Sequence, residues 1–133
     1  MYPTEETIYL KKNDLDTPSL LVELDIMEKN MNRMAKFASE CGVNLRPHVK
    51  THKVPEIAKK QLAAGAKGVC LQKLSEAEAF AAHGIDDIFI TNEIVGDQKY
   101  ERLAKLADKI HLGVATDNAE VVKQMGNACR NEG

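Results

Sequence analysis

The chain has 133 residues, of which 44% are hydrophobic and 29% charged, and its formal net charge is −2. This composition is typical of one globular unit, and it excludes disordered and fibrous proteins. The balanced charge gives no sign of a nucleic-acid partner, and no apolar run is long enough to cross a membrane. Three scattered cysteines and an acidic N-terminus without a secretory signal predict a cytoplasmic protein with reduced thiols.

Residues 1–17 are polar and predict an irregular lead-in, whereas residues 18–133 are predicted to form one domain in which strands and helices alternate. The predicted strands are residues 20–24, 45–50, 68–72, 87–91 and 110–115. Each is followed by a helical pattern whose start is marked by a capping residue or a proline. These start signals are Asp25 with Glu28, Pro55, Ser75 with Glu78, Asp97, and Asp117 with Glu120.

The first helical pattern carries apolar residues at steps of three and four, which predicts one buried stripe. Its members are Met27, Met31, Met34, Ala38 and Cys41. Gly42 then stands where a left-handed C-cap belongs, and Gly65 and Gly84 end the next two helices.

The alternation of strands and helices predicts an α/β fold with a parallel sheet. The predicted strands end at evenly spaced residues, namely Lys50, Gln72, Asn92 and Thr116. Even units favour a (β/α)8 barrel, and no Gly-x-Gly-x-x-Gly follows a strand as a dinucleotide-binding sheet would require. A closed barrel needs about 250 residues. The sequence therefore predicts the N-terminal portion of a barrel, with about four β/α units and no closure by this chain alone.

Residues 45–53 form the most unusual stretch, because most of them are polar although the stretch occupies a strand position. In an extended segment Arg46, His48 and Lys50 share one face, while the intervening apolar residues share the other. The segment is either an ordinary exposed strand or a buried strand that carries a functional lysine. A lysine at the carboxyl end of a barrel strand can form a Schiff base, and Arg46 and His48 are expected to be its cationic neighbours.

Other reactive side chains are better explained without a functional role. His48 and His52 are four residues apart, but that spacing suits a metal only on a helix, so no metal site is predicted. His83 is expected at a helix end, and His111 is expected to be a core histidine. Solvated lysines are predicted at positions 53 and 73, and an inert thiol at Cys70.

The string Arg46-Pro47-His48-Val49-Lys50-Thr51-His52-Lys53 resembles the cofactor-lysine segment of the D-threonine aldolase and D-serine dehydratase family. Members of that family are pyridoxal-phosphate enzymes related to the N-terminal barrel of alanine racemase. The resemblance extends over residues 16–20, 61–66, 68–73, 76–77 and 91–95, and covers nearly the whole chain from about residue 15.

The resemblance implies a pyridoxal-phosphate-dependent lyase that acts on β-hydroxy D-amino acids, with Lys50 bound to the cofactor as a Schiff base. Gln72 and Asn92 are expected to line the cofactor site, with Arg46 and His48 supporting it. A divalent metal is possible in such enzymes, but its ligands belong to a C-terminal part outside this chain. A racemase, a non-catalytic cofactor carrier and an inactive fragment remain as alternatives, and a homodimer is possible.

Overall fold

The computed structural model describes residues 10–132. A short 3-10 helix at Lys12–Asp14 and one α-helix come first, and from the second α-helix onward helices alternate with strands to the end of the described chain. In order, the elements are α1 (Leu24–Glu40), α2 (Pro55–Ala63), β1 (Val69–Leu71), α3 (Leu74–Ala82), β2 (Asp87–Ile90), α4 (Asp97–Ala107), β3 (His111–Val114) and α5 (Ala119–Glu132).

The three strands form a parallel sheet in the order β1-β2-β3. Residues 45–53, hereafter the lysine segment, run beside β1 in the same direction. Cys70 N–H donates to Pro47 O at 2.8 Å, and Val49 N–H donates to Cys70 O at 2.9 Å. The predicted strand at 45–50 is therefore an extended segment joined to β1 by a single parallel bridge, between His48 and Cys70.

The core lies between one face of the sheet and the helices that cover it. Alternate residues of the lysine segment and the strands are almost completely buried, as expected for side chains pointing at the helix layer. They are Val49, Val69, Leu71, Ile88 and Ile90, each at most 1% exposed. The helices contribute Ala58, Leu74, Ala77, Phe80, Tyr100, Leu103 and Leu106 to the same cluster. The other face of the sheet therefore carries the remaining strand residues, among them Arg46 and His48.

The observed order of elements confirms the prediction of an α/β barrel portion. Its four β/α units are the lysine segment with α2, then β1–α3, β2–α4 and β3–α5. Within residues 10–132 the sheet is open rather than closed into a barrel. No helix in this described range is both long and apolar enough to cross a membrane.

The predicted strand at residues 20–24 is wrong. Leu20 is fully exposed, Leu21 and Val22 are more than half exposed, and Leu24 already belongs to α1. An extended segment becomes a strand only by pairing with a neighbour, and these residues pair with no strand in the described part of the chain. The apolar run predicts a short strand, whereas its side chains are exposed and its backbone is unpaired in the described part of the chain.

The methionine stripe is confirmed in part. Ala38 is buried and Met27 and Met31 are half-buried, but Met34 and Cys41 are exposed. The buried face of α1 is therefore narrower than the spacing of its apolar residues predicts. The C-cap glycines are confirmed, since Gly42, Gly65 and Gly84 have φ values of +67°, +116° and +82°.

Several predicted N-caps are displaced by one or two residues. The N-caps of α1 and α4 are Glu23 and Gly96, so Asp25 and Asp97 lie inside the first turns. At the start of α5, Asn118 replaces Asp117, because its Oδ1 accepts the N–H of Glu120 at 2.8 Å. Helix α3 begins at Leu74, before the predicted cap Ser75, and the N3 glutamate is Glu76 rather than Glu78.

Candidate active site

Two of the four predicted strand-end residues meet at the carboxyl edge of the sheet. Lys50 directly follows the buried Val49, and its Nζ donates to Gln72 Oε1 at 3.1 Å. Gln72 directly follows β1. Asn92 is half-buried two residues after β2, and its side chain makes no hydrogen bond within residues 10–132. Thr116 bonds only within its own turn, to Asn118.

His48 is held beside this pair by a chain of hydrogen bonds. Thr91 Oγ1 lies 3.0 Å from His48 Nε2, and the same hydroxyl lies 3.2 Å from the carbonyl oxygen of Leu71. Because that carbonyl can only accept, the hydroxyl donates to it and accepts a hydrogen bond from Nε2–H. His48 Nδ1 is then the unprotonated nitrogen, which faces the backbone N–H of Lys50 at 3.5 Å. The imidazole is thereby fixed in one tautomer next to Lys50.

The expected cationic neighbourhood of Lys50 is not found. Burial and the positive charge of Lys50 lower the pKa of His48 below its ordinary value of 6.5, although Gln72 and Glu76 act in the opposite direction. At neutral pH the imidazole is therefore uncharged. The guanidinium of Arg46 is occupied elsewhere, because its Nη1 donates to Asp87 Oδ1 at 2.8 Å.

The Arg46–Asp87 ion pair crosses the sheet at the opposite end of the same face. The Arg46 and Asp87 side chains are 26% and 19% exposed. The hydrogen bond from Arg46 lowers the pKa of Asp87 despite burial, with a smaller contribution from His111. His111 Nδ1 lies 3.1 Å from Asp87 Oδ1, and its side chain is 82% exposed. The prediction of a core histidine at position 111 is thus wrong, because this residue opens β3 rather than lying in its middle.

Gly68 creates the space for this ion pair. A Cβ at position 68 would overlap Arg46 Nη1 and would lie 2.6 Å from the carbonyl oxygen of Asp87. A side chain at this position is therefore incompatible with the observed path of Arg46.

Glu76 anchors the strand end that carries Gln72. Its Oε2 accepts the backbone N–H groups of Gln72 and Lys73 at 3.1 and 3.2 Å, and its Oε1 lies 3.1 Å from Lys53 Nζ. Burial favours the protonated form, but the hydrogen bonds from Lys53, Gln72 and Lys73 and the charge of Lys53 outweigh it. They lower the pKa of Glu76 below its ordinary value of 4.5.

Glu76, Thr91 and Asp87 were not identified from the sequence. The position of Thr91 does contain a signal, because it has the same strand parity as Asp87 and follows the last residue of β2. The sequence pattern Ser75 with Glu78 predicts a different capping glutamate from Glu76, and Asp87 has no partner close to it in sequence.

The remaining polar residues of the lysine segment form the turn that follows Lys50. His52 Nδ1 accepts the N–H of Val54 at 3.1 Å, and burial lowers the pKa of His52. Since that nitrogen faces the backbone, the geometry gives no support to a metal role for the two segment histidines. Among the described residues, no three metal-ligating side chains converge. His83 caps α3, with Nδ1 2.8 Å from Ala79 O, and burial raises the pKa of Cys70.

Parallel β/α units with a lysine at the carboxyl edge of the sheet define a class of proteins, namely barrels that carry a reactive amine at the end of a strand. The particular family follows from comparison with known proteins. Residues 22–133 match the family described as "Alanine racemase, N-terminal domain", so the chain belongs to that family. The family and barrel resemblance deduced from the sequence is confirmed.

The relatives with established names are lyases. The chain is 48% identical to an Arthrobacter D-threonine aldolase over 114 residues, which are 86% of this chain and 30% of that protein. It is 36% identical to the 3-hydroxy-D-aspartate aldolase of Paracoccus denitrificans over 126 residues, which are 93% of this chain and 33% of that protein. The crystal structure of the D-threonine aldolase from Filomicrobium marinum matches with a TM-score of 0.88 and 44% identity, over 90% of this chain and 32% of that one. The chain thus spans about a third of the length of its relatives.

Proposed function

We propose that this chain provides the lysine-bearing part of a pyridoxal-phosphate-dependent lyase that cleaves or dehydrates β-hydroxy D-amino acids. Lys50 is the residue to which the cofactor attaches. The observation that carries the proposal is the position of Lys50 beside Gln72, at the carboxyl edge of the sheet. The three relatives named above are all aldolases of D-amino acids, which supports the substrate class.

The surroundings of Lys50 fit an amine that reacts with an aldehyde. Attachment requires the unprotonated amine, and a neighbouring carboxylate would favour the ammonium form instead. Within residues 10–132 no carboxylate lies within 4 Å of Lys50 Nζ, and the carboxylate of Glu76 is paired with Lys53. The nearest partner is the neutral amide oxygen of Gln72, and His48 next to it is also uncharged.

When bound, pyridoxal 5′-phosphate supplies an electron sink for a carbanion at the substrate Cα. The described residues would bind and orient the cofactor at this edge of the site. Lys50 would hold the cofactor and, once its amine is released, would be placed to move a proton. Gln72 orients Lys50 through its side-chain oxygen, and Asn92 is proposed to line the cofactor site from the next strand end.

Arg46 and His48 support this arrangement from below. His48 hydrogen-bonds to Thr91, and Arg46 hydrogen-bonds to Asp87. Together these bonds fix the position of the lysine segment on the sheet. We also propose a cytoplasmic protein, since all three cysteines are free, and a homodimer in which a second subunit completes the site. If a metal takes part, its ligands lie outside the described residues, among which no such cluster occurs.

The proposal is tested by product analysis on the intact protein supplied with pyridoxal 5′-phosphate. D-threonine, D-3-hydroxyaspartate and D-serine are offered with and without a divalent cation. Release of an aldehyde together with glycine identifies an aldolase, whereas ammonia together with a keto acid identifies a dehydratase. Interconversion of D- and L-alanine without either product would indicate a racemase and contradict the proposal.

A pair of lysine variants shows whether turnover depends on the proposed residue. Lys50→Ala is expected to abolish product formation, since the amine that holds the cofactor is lost. Lys59→Ala makes the same change at an exposed position of α2 and is expected to leave turnover unchanged. Equal activity of the two variants would exclude Lys50 as the cofactor lysine.

A further inference from the structure

The turn after Lys50 contains a strained residue and is closed by a backbone hydrogen bond. Lys53 has a φ of +55°, and it is the single non-glycine residue with a positive φ in the described chain. A side chain in the left-handed region costs about 1 kcal/mol, so the surrounding contacts must hold it there. Lys53 N–H donates to Val49 O at 2.9 Å, which closes the turn around Lys50.

A second contact connects this turn to the strand end that carries Gln72, the partner of Lys50. The side chain of Lys53 lies 3.1 Å from one carboxylate oxygen of Glu76, and the other oxygen accepts the backbone N–H groups of Gln72 and Lys73. The Glu76 side chain is only 12% exposed, so its charge is partly shielded from water. One carboxylate therefore holds both the turn that carries Lys50 and the strand end that carries its partner Gln72.

We propose that Glu76 is a positioning residue that sets the geometry of Lys50 toward the cofactor aldehyde, an inference that rests on the proposed function above. Within residues 10–132 it makes no hydrogen bond or ion pair with the side chain of Lys50 or Gln72, and acts through the backbone of Gln72 and the turn at Lys53. Its charged form suits this role, because an ionised carboxylate accepts stronger hydrogen bonds than a neutral acid.

The experiment compares Glu76→Gln with Glu78→Gln in the intact protein. Glu78 is on the same helix and makes a bidentate ion pair with Arg102, away from the lysine segment. Each variant loses one carboxylate of α3 that is involved in an ion pair, but only Glu76→Gln disturbs the lysine turn. The measurements are the dissociation constant of pyridoxal 5′-phosphate, the midpoint of thermal unfolding without cofactor, and the fraction of borohydride-fixed cofactor on Lys50.

Glu76→Gln is expected to weaken cofactor binding about tenfold, the loss that one charge-assisted hydrogen bond corresponds to. The fixed cofactor should also spread from Lys50 to Lys53 and Lys73. Glu78→Gln should change neither quantity, even where both variants unfold at a lower temperature. Equal cofactor affinity and equal labelling of Lys50 in the two variants would overturn the inference.

Lys53→Met provides a variant that changes only an exposed side chain and keeps the experiment decisive if Glu76→Gln does not fold. It breaks the contact with the turn but leaves the bonds to Gln72, so a smaller loss of affinity is expected. When both positions are changed, the combined loss should be less than the sum of the single losses, because both act in one network. No loss with Lys53→Met would contradict the inference. Absence of cofactor on Lys50 in the unchanged protein would instead contradict the proposed function.

Discussion

Gly68→Ala tests the ion pair between Arg46 and Asp87, which lies on the face of the sheet that points away from the helices. The added Cβ would overlap Arg46 Nη1 and lie 2.6 Å from the carbonyl oxygen of Asp87, which is backbone within the sheet and cannot swing aside. Overpacking of this kind costs about 1–3 kcal/mol. Displacing the charge-assisted hydrogen bond between two side chains that are 26% and 19% exposed adds about 1.5 kcal/mol or more. We therefore expect a loss of about 3 kcal/mol.

Urea unfolding followed by circular dichroism measures this loss, with Gly126→Ala as the matched control. Gly126 lies within α5, where a Cβ would be at an ordinary 3.6 Å from Arg130, so alanine there should stabilise the protein by about 0.5–1 kcal/mol. The same glycine-to-alanine change is thus expected to destabilise the protein at position 68 and to stabilise it at position 126. A Gly68→Ala variant as stable as Gly126→Ala would show that Arg46 does not pass over Gly68 as described.

Three further predictions concern the same network and two helices. Asp87→Asn should destabilise the protein above about pH 5, and the difference from the unchanged protein should shrink as pH falls through the folded-state pKa. The sign follows because the folded-state pKa lies below the ordinary 3.8, so the unfolded chain binds the proton first. A constant difference in urea unfolding between pH 3 and 7 would contradict it. Asn118→Ala should cost about 1 kcal/mol by removing the N-cap of α5, whereas Asp117→Ala should cost little, and equal melting temperatures would contradict this assignment. Tyr100→Phe should be neutral or stabilising by up to about 1 kcal/mol, since the buried hydroxyl has no partner within residues 10–132; a clear loss of stability would contradict it.

The barrel portion was predictable because its signals are local and repeated. Apolar strands follow one another at even spacing, and glycines with positive φ end the helices at positions 42, 65 and 84. The alternation of faces in the lysine segment was likewise correct, with Val49 buried and Lys50 exposed. The pairing of Lys50 with Gln72 follows from strand ends that meet at one edge of a parallel sheet.

The parts that failed depend on partners far away in the chain. The apolar run at residues 20–24 looks like a strand, but a strand exists only where a neighbour supplies hydrogen bonds. Arg46 and His48 were expected to surround Lys50 with positive charge because they are close in sequence. Arg46 instead pairs with Asp87 at the start of β2, and the uncharged His48 stays beside Lys50 and contacts Thr91 just after β2. Glu76 could be recognised only once α3 was placed, since a shift of two residues decides which glutamate faces the strand end.

The most direct test of the account is to locate the cofactor on the chain. The intact protein is mixed with pyridoxal 5′-phosphate, reduced with borohydride, digested and mapped by mass spectrometry. The account predicts that the reduced cofactor is found on the peptide that contains Lys50, with only traces at the neighbouring lysines 53, 59 and 60. Cofactor distributed evenly over exposed lysines, or concentrated on a lysine other than Lys50, would contradict it.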